Sequence, residues 1–371
     1  MATIQRLDQQ VVNRIAAGEV IQRPSNALKE MIENSLDAGA TSINLTVKGG
    51  GLHSLVIQDN GHGIKRADFP LVCERFATSK LSTFEDLLKI STYGFRGEAL
   101  ASISHVAKVT ITSMTAGSQC AYRAQFLDGL MKAEPTACAG VQGTTITVEE
   151  MFYNVPARRL ALKNTSEEYG RILEVLERYA IKHSSRGVSF MCKKQGEIAP
   201  DRVIATHTST LDAIGAVFGA AVRKDILPIS CTLGGEGAAG SGSGSGSGSG
   251  DTPSFQASGF VSSASLSLKR PSSVFFINAR LVDCTTLRKA LEAVYFDLLP
   301  KGAHPFLYLD ITLPTHHVDV NVHPTKREVG FLYQDELVGA LTKALSERLA
   351  GCTSQRAFST QTQLQTTGGG L

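Results

Sequence analysis

No apolar run in this chain of 371 residues reaches the roughly 18 residues of a membrane span, and no apolar signal core follows Met1. Neither a membrane partner nor secretion is expected. The seven cysteines are an odd number and contain no C-x-x-C pair. That argues against a disulfide framework or zinc site, and for free thiols in a reducing compartment. Nine histidines offer no H-x-x-x-H or H-x-x-E spacing, so a metal cage of protein ligands is not expected. Neither sign of charge dominates: 37 Lys and Arg against 34 Asp and Glu leave +3, which permits nucleic-acid binding without arguing for it. What is present is a globular composition, 42% hydrophobic and 19% charged, which excludes wholesale disorder. The length suits two domains of ordinary size.

Residues 234–258 are almost entirely Gly, Ser and Ala, and alternate Gly-Ser from 240 to 250. They are expected to form a flexible loop that carries no chemistry. A polar stretch from Thr353 onward reads as a frayed tail. Elsewhere helical and strand patterns alternate. Residues 24–36 place Leu28, Ile32 and Leu36 on one helical stripe, and Gly39 follows as a stop. Residues 54–59 read as a strand running into a glycine turn, and 109–113 and 144–148 are β-rich. Thr165 and Glu168 fit a capping box before a helix that carries Ile172, Val175, Leu176 and Tyr179 on its apolar face. Further on, a strand at 273–281, a helix at 285–298 (Leu287, Leu291, Val294 and Leu298 inward) and a strand at 306–313 make a β-α-β unit. The expected division is a first domain at 1–205, a second at 206–350 and a tail at 351–371.

Five clusters carry chemistry. On the first helix, Glu30 and Asn34 lie one turn apart and away from the leucine stripe. A carboxylate beside an amide oxygen can hold a water and a hard cation together. Asp59-Asn60-Gly61-His62-Gly63 puts an acceptor at a strand end beside a glycine turn. Tyr93-Gly94-Phe95-Arg96-Gly97-Glu98-Ala99-Leu100, with Thr78-Ser79-Lys80 upstream, reads as a glycine-rich lid entering a helix whose amides could face an anion. Gly143-Thr144-Thr145 opens a strand. Asp319-Val320-Asn321-Val322-His323-Pro324-Thr325-Lys326 reads as a strand stopped by Pro, with Lys326 on a loop where it could meet a phosphate. Each cluster alone also fits a plainer reading: a solvated helix face, a turn, a glycine-capped helix start, a surface lysine.

Taken together and in this order, E-x-x-x-N, D-x-G-x-G, a glycine-rich lid and G-T resemble the Bergerat-fold ATPases. Three strings narrow the resemblance: Asn13-Arg14-Ile15-Ala16-Ala17-Gly18-Glu19-Val20-Ile21, Phe152-Tyr153-Asn154-Val155-Pro156-Ala157-Arg158-Arg159, and residues 318–329. They are similar to the MutL mismatch-repair family, most closely its eukaryotic homologue 1 branch. The similarity runs from residue 1 to about residue 350, broken by the Gly-Ser stretch, and 231–268 departs from the family pattern. The resemblance implies an α+β chain: a Bergerat-type ATPase domain, a mixed β-sheet with helices on one face, followed by a ribosomal-S5-like α/β transducer domain and the start of a linker.

By the same resemblance ATP is the substrate and Mg²⁺ the cofactor. Glu30 would polarise the attacking water and Asn34 would ligate Mg²⁺. Asp59 would accept from the adenine amino group, with Gly63 and Thr144 flanking the ring. Thr78, Ser79 and Lys80 would line the nucleotide. Arg96, Gly97, Glu98, Ala99 and Leu100 would form the lid, and Lys326 would reach the γ-phosphate. Implied partners are a second MutL-family subunit, a MutS-type mismatch-recognition complex and DNA, and the implied location is the nucleus. The family's dimerisation module would lie beyond residue 371. The nuclease motif of some MutL proteins, D-Q-H-A-x-x-E-x-x-x-x-E, does not occur in the sequence. A type II topoisomerase-like ATPase module is the alternative, and the first two strings argue against it.

Overall fold

Pro24 occupies the first turn of a helix, where the N–H it lacks would have no partner anyway. It is the second helix of a computed structural model that describes residues 4–80, 92–94, 96–206, 209–234, 253–319 and 330–366, with side chains described as far as 351. Before it, α1 (Gln9–Val20) is capped by the Asp8 carboxylate, which accepts from the Gln10 amide. α2 (Pro24–Asp37) buries Ala27, Leu28, Met31 and Ile32. It ends at Ala38, and Gly39 turns the chain at φ +72°.

The next elements are β1 (Ser42–Lys48), β2 (Ser54–Asp59), α3 (Ala99–Val106), β3 (Lys108–Met114), β4 (Ala121–Leu127), β5 (Leu130–Met131), β6 (Thr136–Cys138) and β7 (Gly143–Glu149). α4 (Pro156–Ala161), α5 (Thr165–His183), β8 (Ser189–Lys194) and β9 (Arg202–Ile204) follow. The strands form one sheet in the order β5-β4-β3-β7-β2-β1-β8-β9, with β6 on β4. β1 pairs parallel with β8 and antiparallel with β2, so the sheet is mixed. Alternate side chains such as Ile43, Leu45, Val47, Leu55, Ile57, Val109 and Ile111 are fully buried. Their period of two gives the sheet one covered face. α2 packs on both α3 and α5, and all three pack on strands of this sheet. The α+β class with a mixed sheet and covering helices is therefore what the first unit shows. The cap of α5 is Asn164, whose side chain accepts from the Glu167 amide, rather than the expected Thr165. Glu168, the expected partner in that box, is buried and pairs with Arg23.

The chain divides into two compact units, Met1–Ala213 and Ile214–Leu371, a later division than the expected one near 205. β9 pairs with β8 and belongs to the first sheet, as the expected boundary also has it. α6 (Thr210–Phe218) lies across the division, and α7 (Ala220–Lys224) follows. The second unit continues with β10 (Ile226–Leu233), β11 (Phe255–Ser262), β12 (Ser272–Ile277), β13 (Arg280–Val282), α8 (Thr285–Val294) and β14 (Phe306–Thr312). β15 (Val318–Asp319), β16 (Gly330–Phe331) and α9 (Gln334–Thr366) complete it. Its main sheet runs β10-β11-β14-β12-β13, and β12 is parallel to β14 across α8, which is the expected β-α-β unit.

Four boundaries in this unit differ from the sequence reading. The Gly-Ser loop was expected to reach 258, but 255–258 belong to β11, because Phe255 and Ala257 bury in the core. The strand expected over 273–281 is a hairpin that turns at Asn278 and Ala279, both with positive φ. The Asn278 amide fixes the turn by bonding both backbone groups of Leu313. α8 stops at Val294, so Leu298 is 41% exposed rather than inward. Tyr295 takes the inward position, and its hydroxyl donates to the Ser262 carbonyl at 2.7 Å. Finally, helical backbone of α9 continues into the stretch from Thr353 that was read as a tail. The buried stripe Leu337, Leu341, Leu345 and Leu349 anchors the earlier part of that helix.

Candidate active site

β2, β7 and β3 are neighbours, and their register sets Asp59 opposite Thr144 and Thr144 opposite Ser113. The three residues thus form one row across the end of the sheet. Asp59 is 7% exposed. Its Oδ1 accepts from the Gly61 amide at 2.9 Å and the Thr144 amide at 3.3 Å. Its Oδ2 accepts from the Ser35 hydroxyl of α2 at 2.9 Å. Burial raises its pKa above the ordinary carboxylate value, and these three hydrogen bonds oppose the rise. The Ser113 and Thr144 hydroxyls are 2.9 Å apart, and Ser113 accepts from the Ile64 amide at 2.8 Å.

The glycine turn after Asp59 has a structural cause. Asn60 Oδ1 accepts from the amides of Thr41 and Ser42, both at 2.8 Å. Gly63 lies at φ +76°, and a methyl group there would stand 2.3 Å from the Met114 carbonyl oxygen. Close strand packing by itself requires this glycine, whatever ligand approaches.

A second cluster sits at the end of α2. Asp37 accepts from the amides of Tyr93 at 2.9 Å and Gly94 at 3.0 Å, and pairs with the Lys80 ammonium. Lys80 also donates to Asn34 Oδ1 at 3.1 Å, and its amide donates to the Thr78 hydroxyl at 3.1 Å. The predicted residues Asn34, Thr78 and Lys80 are thus brought together, while Ser79 is exposed. Asp37 was not singled out from sequence. The available signal was its spacing, three residues after Asn34 on the same helical face.

One turn earlier, Glu30 is 7% exposed and Lys29 is 4% exposed. Their Oε1 and Nζ are 3.9 Å apart. The helix face carrying Glu30 is therefore not a solvated one. At the other end of the glycine-rich segment, Gly97 has φ +62°, and a methyl group there would lie 2.2 Å from the Ala77 carbonyl oxygen. Phe76 N donates to the Gly97 carbonyl at 3.2 Å. Glu98 is the N-cap residue of α3, but its side chain pairs with Arg75 at 3.2 Å instead of capping. Arg96, Ala99 and Leu100 are half-buried. Lys326 lies outside the described residues.

The two long sequence strings meet. Arg158 donates to the carbonyls of Gly18 at 3.0 Å and Ile21 at 3.1 Å, closing the end of α1. Arg159 pairs with Glu150 at 3.1 Å. These arginines are engaged within the unit.

Among the described residues no group of three or more His, Cys, Asp or Glu could hold a metal ion. Asn34 is nevertheless a fitting single ligand for Mg²⁺, which takes hard oxygens, keeps several waters and leans on substrate phosphates. Its Oδ1 already faces a cation, the Lys80 ammonium at 3.1 Å.

Residues 22–133 match the family described as histidine kinase-, DNA gyrase B-, and HSP90-like ATPase, and residues 214–350 match that of the DNA mismatch repair protein, C-terminal domain. "DNA mismatch repair protein Mlh1" of Dictyostelium discoideum is 44% identical over 96% of this chain and 42% of its own length. "DNA mismatch repair protein MLH1" of Saccharomyces cerevisiae is 46% identical over 96% of this chain and 44% of its own. The bacterial "DNA mismatch repair protein MutL" of Leptospira biflexa is 35% identical over 95% of this chain and 54% of its own. The chain thus spans about half the length of these relatives. Among solved structures, an N-terminal domain of a DNA repair protein superposes with a TM-score of 0.76 at 25% identity, covering 91% of this chain and 98% of that one. The Aquifex aeolicus MutL ATPase domain complexed with ADP gives 0.54 at 20% identity, over 87% of this chain and 98% of that one, a likeness of fold alone.

Proposed function

The chain belongs to the MutL family of DNA mismatch-repair proteins, and on that premise we propose that its first unit binds ATP and hydrolyses it slowly. The observation that carries this reading is α2. One helix presents Glu30 and Asn34 a turn apart and, through Ser35, holds the buried Asp59 carboxylate. Asp59 accepts from the adenine amino group, and Gly63 and Thr144 flank the ring. Thr78, Ser79 and Lys80 line the nucleotide, and Arg96, Gly97, Glu98, Ala99 and Leu100 close over the phosphates with backbone amides. By the family resemblance, Lys326 would supply a cation to the γ-phosphate. Asn34 gives its amide oxygen to Mg²⁺, which when bound would neutralise charge on the phosphates. For that, Lys80 must leave Asn34, and Asp37 is placed to keep it.

Glu30 orients the attacking water and draws its proton as the oxygen bonds to γ-phosphorus, while the bond from γ-phosphorus to the bridging oxygen breaks and ADP leaves. Phosphoryl transfer leaves the protein little covalent work, so positioning and charge stabilisation carry the rate. For the whole protein, ATP would drive a conformational clamp that couples mismatch recognition to repair, with the second unit as transducer. Its partners would be a second MutL-family subunit, a MutS-type recognition complex and DNA, in the nucleus. A topoisomerase module finds no support, since the relatives reported above are mismatch-repair proteins. Glu30→Ala tests the assignment. Titration with a labelled ATP analogue should show binding close to wild type while hydrolysis is lost. Equal loss of both would overturn the role of Glu30.

A further inference from the structure

Glu33 is a second carboxylate on α2 that the proposed reaction does not use, and it is 0% exposed. Its Oε1 accepts from the Lys29 ammonium at 2.7 Å and from the Tyr179 hydroxyl of α5 at 2.6 Å. Tyr179 is itself fully buried. Its ring stacks on His183 at 6.3 Å and meets Tyr93 edge-on at 6.3 Å. The Tyr93 hydroxyl and His183 Nε2 are 2.8 Å apart. Burial drives the His183 pKa down to about 3, so the ring is neutral at physiological pH. Tyr93 opens the glycine-rich segment and reaches back to Asp37 through its amide. A continuous set of contacts therefore runs from that segment, through α5, to Lys29.

Lys29 stands between two carboxylates on the same helix, hydrogen-bonded to Glu33 and 3.9 Å from Glu30. At that separation it is no hydrogen-bond donor to Glu30 and acts on it through charge. Buried ion pairs are poor devices for stability, and apolar replacements of similar volume are often as stable or more so. A Lys-Glu pair with its own tyrosine anchor, placed one residue from the proposed base, therefore points to a task other than holding the fold.

We infer that Lys29, anchored by Glu33 and Tyr179, is a positioning residue for hydrolysis: it fixes the Glu30 carboxylate toward the attacking water. The inference rests on the ATPase reading above. None of the three residues is assigned to the nucleotide, so they should affect turnover and spare binding.

The decisive variant replaces the whole network with apolar groups: Lys29→Met, Glu33→Met and Tyr179→Phe together. It leaves none of the three polar heads stranded, and only Glu30 loses a nearby cation, so the variant is expected to fold with at most a modest fall in melting temperature. ADP affinity should stay within about twofold, while single-turnover ATP hydrolysis should fall about tenfold or more, the scale of a general base lost from register. Lys29→Arg, which keeps the charge, should retain more turnover than Lys29→Met. Should the triple variant not fold, Tyr179→Phe alone carries the test on the same two readouts, with a smaller fall in turnover. Turnover at the wild-type rate in the folded triple variant, or in Tyr179→Phe if that variant stands in for it, would overturn the inference while leaving the ATPase reading intact. Parallel loss of ADP binding and turnover would also overturn it, as a merely structural role. Absence of hydrolysis in the wild type would overturn the ATPase reading, and the inference with it.

Discussion

Asp59→Asn exchanges one oxygen for an NH₂ group with almost no change of shape, and the surrounding hydrogen bonds decide which oxygen goes. Oδ1 serves two backbone donors, Gly61 N and Thr144 N, which cannot reverse. Oδ2 serves the Ser35 hydroxyl, which can turn and accept. The new amide should therefore keep its oxygen on the backbone and place its NH₂ on the Ser35 side. An adenine amino group that met an acceptor would then meet a donor. Losing one hydrogen bond to a charged group costs about 1.5–3 kcal/mol. Affinity for ADP should accordingly drop about 10- to 150-fold. Inosine diphosphate carries an acceptor in place of that amino group, so the variant should lose much less affinity for it, and the base preference should narrow or invert.

Stability should move the other way. Burial holds the Asp59 pKa above the ordinary 3.8, so its ionised form costs stability once pH rises through the folded value. Asp59→Asn removes that cost at pH 7 and gains nothing below pH 3.8, where the acid is neutral in both states. Calorimetric titration with the two diphosphates, alongside thermal melts at both pH values, checks both parts. An unchanged adenine-over-hypoxanthine preference in a folded variant would refute the placement of the base at Asp59. A melting temperature several degrees below wild type at pH 7 would refute the electrostatic argument.

Gly97→Ala should destabilise the start of α3 by roughly 1–3 kcal/mol through its positive φ alone, and by more because its methyl would lie 2.2 Å from the Ala77 oxygen; urea unfolding and ADP affinity should both register the change. Asn34→Ala should weaken nucleotide binding about tenfold in Mg²⁺, the scale of one polar contact, and much less in EDTA; equal losses in both would argue against metal ligation. Halving the link between Leu233 and Phe255, the first pair of the β10–β11 ladder, should change stability by only about 0.6 kcal/mol, since closure entropy varies slowly with length. A fall of many degrees in melting temperature would contradict that.

The parts of this fold that were legible in the sequence are those with a single dominant period. Leu28 and Ile32 of the first helical stripe and Leu287 and Leu291 of α8 are buried where periodicity puts them, with Leu36 only half-buried, and 54–59 and 109–113 are strands as read. Boundaries set by one side chain were not legible. The Asn278 hairpin depends on a bond to Leu313, 35 residues away, and Tyr295 ends the inward face of α8 by reaching Ser262. The candidate site was legible as spacing and not as pairing. E-x-x-x-N and D-x-G-x-G marked Glu30, Asn34 and Asp59, yet Asp37, Lys29, Glu33 and Tyr179 went unmarked. Charged residues on a helix read as a solvated face until tertiary packing covers them. Tyr179 lies 146 residues from Glu33, and periodicity assigned it only to a core stripe.

The most direct test of the account is a crystal structure of this chain with a non-hydrolysable ATP analogue and Mg²⁺. The account predicts the adenine amino nitrogen within hydrogen-bond distance of the Asp59 carboxylate. It also predicts a cation on Asn34 Oδ1 and Lys80 displaced from that oxygen toward Asp37 and the phosphates. A nucleotide bound elsewhere, or one whose base does not meet Asp59, would contradict it.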